Sequence, residues 1–214
     1  MVRRIVTLAS LLFGLAGLAA TPVAAQHAGA PRVPLVGDDS TDPDVQEIFK
    51  DLRARGTAPL NLHRVYANAP KIARRMNAVA AALRADAKVP RADRELAILR
   101  ATQLAHGDYQ HEEHIPIALS CGISQQQIDA LAKWRDSKLF DDKQRALLAY
   151  ADAMVSEKGM DDATFAAMQR YYSTQEIVEL TMQAAYYSAS SQISRALNIT
   201  AVGNPEKSGY GTCR

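Results

Sequence analysis

The stretch that decides the fold is "RELAILRATQLAHGDYQHEEHIPIALSCGISQQQIDAL", residues 94–131. Its apolar residues recur at helical spacing behind Pro90, a residue that suits the first turn of a helix. Gly107 ends or bends this helix, and a second helical segment follows over residues 109–121. The sequence therefore predicts two antiparallel or angled helices joined at Gly107.

The rest of the chain also carries helical spacing of apolar residues and residues that begin helices. A stripe of Ile72, Met76, Val79 and Leu83 falls on one face of a helix. Further helices are predicted to begin near Pro43, Pro59, Pro70, Ser124, Asp141, Asp162 and Ser173. Strand-like alternation is not evident. The prediction is an all-α, single-domain bundle of about seven to nine helices, whose Ala-rich helices favour an oligomer.

The amino-terminal sequence is typical of a targeting segment. Arg3 and Arg4 precede an apolar run and a small-residue cleavage site before Gln26, which is typical of a secretory signal peptide over residues 1–25. A retained membrane anchor is the alternative, but the run is shorter than the ~20 residues that a span needs. We expect a periplasmic or secreted protein.

Three further segments complete the domain organisation. Residues 26–42 are rich in Pro, Gly and Asp and predict a flexible leader. The helical domain spans residues 43–200, and residues 201–214 form a tail.

Charge and cysteine content limit the partners. Without Arg3 and Arg4, basic and acidic residues are equal at 23 each, so no nucleic-acid partner and, after signal cleavage, no membrane partner is expected. Cys121 and Cys213 are the two cysteines. An oxidising compartment allows a disulfide between them. The simpler interpretation is a buried Cys121 and a disordered Cys213.

The chemistry-bearing cluster is "HGDYQHEEH", residues 106–114. If the two helices fold back at Gly107, Glu95 can meet His114, and a carboxylate beside an imidazole orients the ring and raises its basicity. His111 lies three residues before His114 and shares its face. A solvated polar face is the alternative interpretation.

A metal site is a weaker hypothesis. His111 and His114 could share an ion with Glu95 or His106 as a third ligand. However, "HEEH" places the second histidine one residue too early for the H-E-x-x-H arrangement. We therefore predict no metal.

These residues resemble a known family. The resembling motifs are Arg94-Glu95-Leu96-Ala97, the Tyr109-x-x-x-x-His114 turn, the Ala118–Gly122 stretch and Ile128-Asp-Ala-Leu131. In this order they resemble the carboxymuconolactone decarboxylase and alkylhydroperoxidase D-like family, over roughly residues 43–200. The resemblance implies an all-α fold and a homotrimer or homohexamer.

One branch of that family reduces peroxide with a Cys-x-x-Cys pair between the glutamate and the histidine. Here Gly107 and Gln110 stand at the cysteine positions, so the nucleophilic sulfur is missing. Cys121 lies seven residues beyond His114 with no partner in range. A peroxidase-like antioxidant activity is therefore disfavoured.

The other branch decarboxylates a lactone without a redox cofactor, so none is expected. The resemblance implies His114 as general acid, Glu95 as its orienting partner and His111 as a further site residue. Candidates for binding a small lactone or acidic substrate are Tyr109, Gln110 and Arg100, with Arg64 and Arg74 on neighbouring helices.

The sequence also departs from the family pattern. Gln110-His111 replaces the frequent Glu-Trp, which weakens the case for the parent reaction, as does export. We expect an exported, cofactor-free lyase or isomerase of a small acidic or lactone compound. A non-catalytic helical oligomer that binds a small ligand is the alternative from another class. A Glu95–His114 pair inside a cavity would favour catalysis, and a fully packed pair would not.

Overall fold

A computed structural model describes residues 29–156, 159–202 and Cys213. The predicted signal peptide lies outside these residues. Within them the chain forms nine α-helices and one 3-10 helix, with no strand, so the all-α prediction is confirmed. None of the helices described is both long and apolar enough to cross a membrane.

The helices follow one another with short connections. Their bounds are α1 Pro43–Ala54, α2 Asn61–Tyr66, α3 Pro70–Ala85, α4 Arg91–Leu104, α5 Asp108–Ser120, α6 Gln125–Ala130, α7 Asp142–Val155, α8 Asp162–Gln169 and α9 Thr174–Leu197. The 3-10 helix, Leu131–Asp136, connects α6 to α7. The predicted starts at Ser124, Asp141 and Ser173 are capping boxes, in which the cap and the third helical residue satisfy each other's backbone amides.

Helix α4 is the centre of the bundle. It packs against α5, α7 and α9, and every residue from 94 to 102 is buried. A helix that is buried on all sides is expected to be apolar. Because Arg94, Glu95 and Arg100 fall within this run, each charged side chain needs a partner inside the protein.

Helix α3 buries a face that only partly follows the predicted apolar stripe. Ile72 and Val79 are 66% and 48% exposed, whereas Ala73, Asn77 and Leu83 are buried. Of the predicted stripe only Leu83 is buried, and the buried Ala73 and Asn77 each lie one residue after a stripe position. Ala73 packs in a small cluster against α1, and Asn77 lines the cavity described below, so tertiary neighbours decided this face.

The described part of the predicted leader, residues 29–42, forms hydrogen bonds with the helical domain. Arg32 N–H donates to the Leu197 carbonyl at 2.9 Å, and Val36 N–H donates to the Arg64 carbonyl at 3.2 Å. The last carbonyls of a helix lack partners within it. Since Leu197 ends α9, the leader satisfies an acceptor that would otherwise need water.

A disulfide joins Cys121 to Cys213, with their Cα atoms 4.9 Å apart. The expectation of a buried, unpaired Cys121 was therefore wrong. Cys121 is the C-cap of α5, where a half-exposed side chain is within reach of the carboxyl-terminal segment. The bridge closes a loop with a sequence separation of 92 residues.

We expect Cys121→Ser to lower the free energy of unfolding by about 2–4 kcal/mol, since the cross-link restricts the unfolded chain. Urea unfolding with and without dithiothreitol measures this. Cys213→Ser and the double variant should each lose the same amount as Cys121→Ser. Additive losses, or reactive thiols in the untreated wild type, would contradict the bridge.

Candidate active site

Glu95 and His114 form a buried pair at the junction of α4 and α5. His114 Nδ1 lies 2.7 Å from Glu95 Oε2, and the two residues are 4% and 0% exposed. Gly107 connects the two helices and lets α5 fold back along α4, which brings together residues 19 positions apart. The predicted meeting of these two side chains is present in the structure.

The Arg91 guanidinium forms an ion pair with the other oxygen of the carboxylate. Arg91 Nε lies 2.7 Å from Glu95 Oε1, one helical turn earlier on α4. Burial alone would raise the pKa of the Glu95 carboxyl, but His114 and then Arg91 outweigh it and hold that pKa below its ordinary value. Glu95 is therefore an ionised carboxylate at neutral pH.

The pair fixes the tautomer of His114. An ionised carboxylate only accepts, so Nδ1 carries the hydrogen and Nε2 is left as the exchangeable site of the neutral ring. Nε2 takes part in none of the hydrogen bonds formed among the described residues, and the ring lines a cavity. Tyr187 packs edge-on against it, with ring centroids 4.6 Å apart.

The cavity lies between α2, α3, α5 and α9. It offers about 60 Å³ to the centres of water-sized molecules. A single water needs about 10–15 Å³ on this measure, so several waters or a small organic molecule fit. Its polar lining comprises Arg55, Thr57, His63, Asn77, Arg84, Tyr109, Gln110, Glu113, His114, Tyr186, Tyr187 and Ser190.

Several polar atoms of this wall are buried without a hydrogen-bond partner. They are Thr57 Oγ1, Asn77 Nδ2 and Gln110 Oε1. Gln110 Nε2, in contrast, donates to Ser194 Oγ at 2.7 Å and to Ser190 Oγ at 3.0 Å, which aims the amide. Unpaired buried polar atoms are costly, so their presence around one cavity indicates a place for a polar ligand or water.

Two of the predicted binding residues, Tyr109 and Gln110, line this cavity. His111, predicted as a catalytic residue, does not. Its Nδ1 lies 3.2 Å from both the Leu99 carbonyl and Thr102 Oγ1, so the ring ties α5 to α4. Burial lowers the pKa of His111, partly offset by the Leu99 carbonyl and Asp108. The geometry supports a structural role for this ring.

Arg100, predicted as a substrate-binding residue, also lies outside the cavity. Its Nε donates to Asp152 Oδ1 at 2.5 Å and its Nη1 to the Leu131 carbonyl at 3.0 Å. Arg100 is five residues after Glu95 and therefore points to a different side of α4. Arg64 and Arg74 are likewise engaged, with Asp38 and Glu47 respectively.

Other residues of the site had not been given a role from the sequence. Arg91 could have been found, since an Arg–Glu pair at i, i+4 shares a helical face. His63 on α2, Arg84 on α3 and Tyr187 on α9 carry no local signal, because only tertiary packing brings those helices to α5.

The part of the chain that the structure describes contains no set of ligands for a metal ion. No three His, Cys, Asp or Glu side chains there are grouped so as to hold an ion. His106 is exposed, and the Nδ1 atoms of His111 and His114 are turned to other partners.

Gly107 has no room for a side chain. A Cβ built there would collide with Oγ and Cβ of Ser191 on α9 and would come within 3.1 Å of the Ser191 Cα. A cysteine at this position would therefore require α9 to move. The absence of a Cys-x-x-Cys pair is thus built into the helix packing as well as into the sequence.

Comparison with known proteins finds a family match for part of the chain. The sequence model of the carboxymuconolactone decarboxylase family matches residues 70–153, which contain Glu95, Gly107 and His114. The uncharacterized protein YnjA of Escherichia coli (strain K12) is 35% identical over 75 residues, or 35% of this chain. The match spans about two fifths of that relative's length, at 41%.

Solved structures extend the likeness to the fold of most of the chain. An uncharacterized peroxidase-related protein from Ralstonia eutropha JMP134, with an alkylhydroperoxidase AhpD core, has a TM-score of 0.68 at 18% identity. The alignment covers 80% of this chain and 92% of that one. The debrominase Bmp8 in complex with 2,3,4-tribromopyrrole has a TM-score of 0.67 at 19% identity, covering 82% and 93%. These likenesses establish an AhpD-like fold.

The buried carboxylate makes stability depend on pH. Because folding lowers the pKa of Glu95, its contribution is present above the ordinary carboxyl range and is lost as the pH falls through the folded-state pKa. We expect Glu95→Gln to cost about 3 kcal/mol at pH 7 and less as the solution is acidified. Urea unfolding across pH 3–7 measures this. Glu112→Gln, on the exposed side of α5, is the matched control. A loss that does not vary with pH would contradict the assignment.

The close approach at Gly107 is testable by a double-variant cycle. Gly107→Ala should cost about 1–3 kcal/mol of stability through overpacking. Ser191→Gly removes two of the three colliding atoms, so the double variant should be more stable than the sum of the single losses predicts. Additive losses in denaturant unfolding would show that Gly107 does not contact α9 closely.

Proposed function

We propose that this protein is a cofactor-free acid–base enzyme, a lyase or isomerase, that acts on a small lactone or acidic carbonyl compound. The observation that carries the proposal is the Glu95–His114 pair, whose outer ring nitrogen, Nε2, borders an internal cavity with unsatisfied polar atoms. A purely structural ion pair does not need such a cavity.

The pair suits proton transfer to or from carbon. The Glu95 carboxylate orients the ring through Nδ1 and stabilises the imidazolium, so Nε2 can take a proton from a bound molecule and return it. In a decarboxylation, CO2 would leave as the electron pair collects on the conjugated lactone, and the protonated Nε2 would deliver the proton to carbon. Burial of the pair strengthens each of these electrostatic interactions.

The charges of the cavity favour an anionic or carbonyl-bearing ligand. Two guanidinium groups, Arg55 and Arg84, line it with one carboxylate, Glu113. Asn77 Nδ2 can donate to a ligand oxygen, and Gln110 Oε1 can accept from a hydroxyl. The fold relative Bmp8 binds a small ring compound, 2,3,4-tribromopyrrole, which supports a ring-sized ligand here.

A peroxidase-like activity has less support. The positions that would carry the thiols hold Gly107, against which α9 packs, and Gln110, whose amide is engaged by Ser190 and Ser194. Both cysteines of the chain are joined to each other. No thiolate is therefore available beside His114.

Ultraviolet-monitored turnover of carboxymuconolactone and a panel of related lactones tests the proposal. We expect His114→Ala to lower kcat at least about 100-fold while remaining folded, since general acid–base catalysis contributes about this much or more. His106→Asn is the matched control, because His106 is an exposed histidine with a positive φ that asparagine tolerates.

Equal turnover by His114→Ala and wild type would exclude His114 as the acid–base group. No turnover of any lactone by folded wild-type protein would exclude this substrate class and leave a ligand-binding role.

We also propose that the protein is exported and forms a homotrimer or homohexamer. The Cys121–Cys213 disulfide supports an oxidising compartment. Exposed apolar side chains on α3 and α9, among them Ile72, Val79 and Met182, support a subunit interface. The mass of the mature chain and light scattering of the purified protein check these two points.

A further inference from the structure

The cavity is also lined by a histidine that is not part of the Glu95–His114 pair. His63 lies on α2, outside the family-matched residues 70–153, and its side chain lines the same cavity as His114. The residue is 8% exposed. A buried imidazole at the wall of a polar cavity is a candidate for contact with whatever the cavity binds.

The backbone fixes the tautomer of His63. The Leu60 N–H donates to His63 Nδ1, with 3.0 Å between the two nitrogens. A backbone amide only donates, so Nδ1 must be the unprotonated nitrogen and the hydrogen must sit on Nε2. In the described part of the chain, the Nε2 atom of His63 forms no hydrogen bond, although the ring is almost fully enclosed.

The surroundings keep this ring neutral. Burial, followed by the positive charges of Arg84, Arg55 and Arg64, lowers the pKa of His63 to about 3. The other charged or titratable groups at the cavity wall include Glu113 and His114. The ring therefore presents one N–H donor over the whole physiological pH range and does not exchange protons there.

We propose that His63 is a substrate-contacting residue, whose Nε2–H donates a hydrogen bond to a carbonyl or lactone oxygen of the molecule bound beside His114. A neutral imidazole in this role polarises the carbonyl and stabilises negative charge that develops on its oxygen, while His114 moves the proton. The inference rests on the proposed function for the location of the ligand but not for turnover. It assigns to α2 a specificity role that the family-matched segment does not supply.

Two variants distinguish donation of the His63 Nε2–H to a ligand from the capping of α2 by His63 Nδ1. In His63→Asn, the amide oxygen can replace Nδ1 as the acceptor for Leu60 N–H, but nothing replaces the Nε2–H. In His63→Gln, the longer side chain can place an amide N–H near the position of Nε2, but the acceptor for Leu60 is lost. If His63 only caps α2, replacement by Asn should be tolerated better than replacement by Gln. If His63 donates to the ligand, replacement by Gln should be tolerated better than replacement by Asn.

Calorimetric titration with γ-butyrolactone-γ-carboxylate, a saturated lactone acid, measures binding without turnover. We expect the affinity to fall about tenfold or more in His63→Asn and about threefold or less in His63→Gln, since one hydrogen bond is lost in the first case. Nitrogen-15 NMR of the imidazoles should show His63 as the neutral Nε2–H form between pH 5 and 8, with its Nε2 signal shifting when the probe is added.

Three results would overturn the proposal: unchanged affinity in folded His63→Asn, a His63 ring protonated or carrying its hydrogen on Nδ1, or no binding of the probe by wild type. Probe binding that depends on His63, together with no turnover of any lactone, would instead contradict the proposed reaction and leave this assignment standing.

Discussion

The contacts at the centre of this structure follow from the burial of one carboxylate. Glu95 is fully enclosed within α4, the central helix, where an isolated charge would be strongly unfavourable. Its two oxygens are therefore engaged from two directions, by Arg91 on the same helix and by His114 on α5. The contact with His114 ties α5 to α4, and it also fixes the tautomer and direction of the His114 ring. Fold and candidate chemistry depend on the same contact.

The tight packing of α9 is the second constraint. Since Gly107 has no side chain, Ser191 approaches the α4–α5 junction closely, and Ser190 and Ser194 reach Gln110. The helix that closes the site thus occupies the space that a thiol at position 107 would need. This packing leaves no room for a thiol at position 107 beside the Glu–His pair, and Gln110 Oε1 is buried without a hydrogen-bond partner.

The cavity is lined by residues from before, within and after the family-matched segment, the last group being Tyr186, Tyr187 and Ser190 of α9. The acid–base pair comes from the family-matched segment, whereas Arg55, Thr57 and His63 come from residues that precede it. In the proposed function, the Glu95–His114 pair would transfer the proton and the residues that precede the matched segment would contact the ligand.

The sequence by itself determined the local features. Helical spacing, proline starts and capping boxes placed the helices, and Gly107 indicated the fold-back that joins Glu95 to His114, because these depend on neighbours within a few residues. Tertiary structure alone decided which face of α3 is buried, that Arg100 pairs with Asp152 and that His111 ties α5 to α4. It also brought His63, Arg84 and Tyr187 to one cavity and joined Cys121 to Cys213. These contacts connect residues that are far apart in the chain, and packing between helices, which no local pattern encodes, sets them.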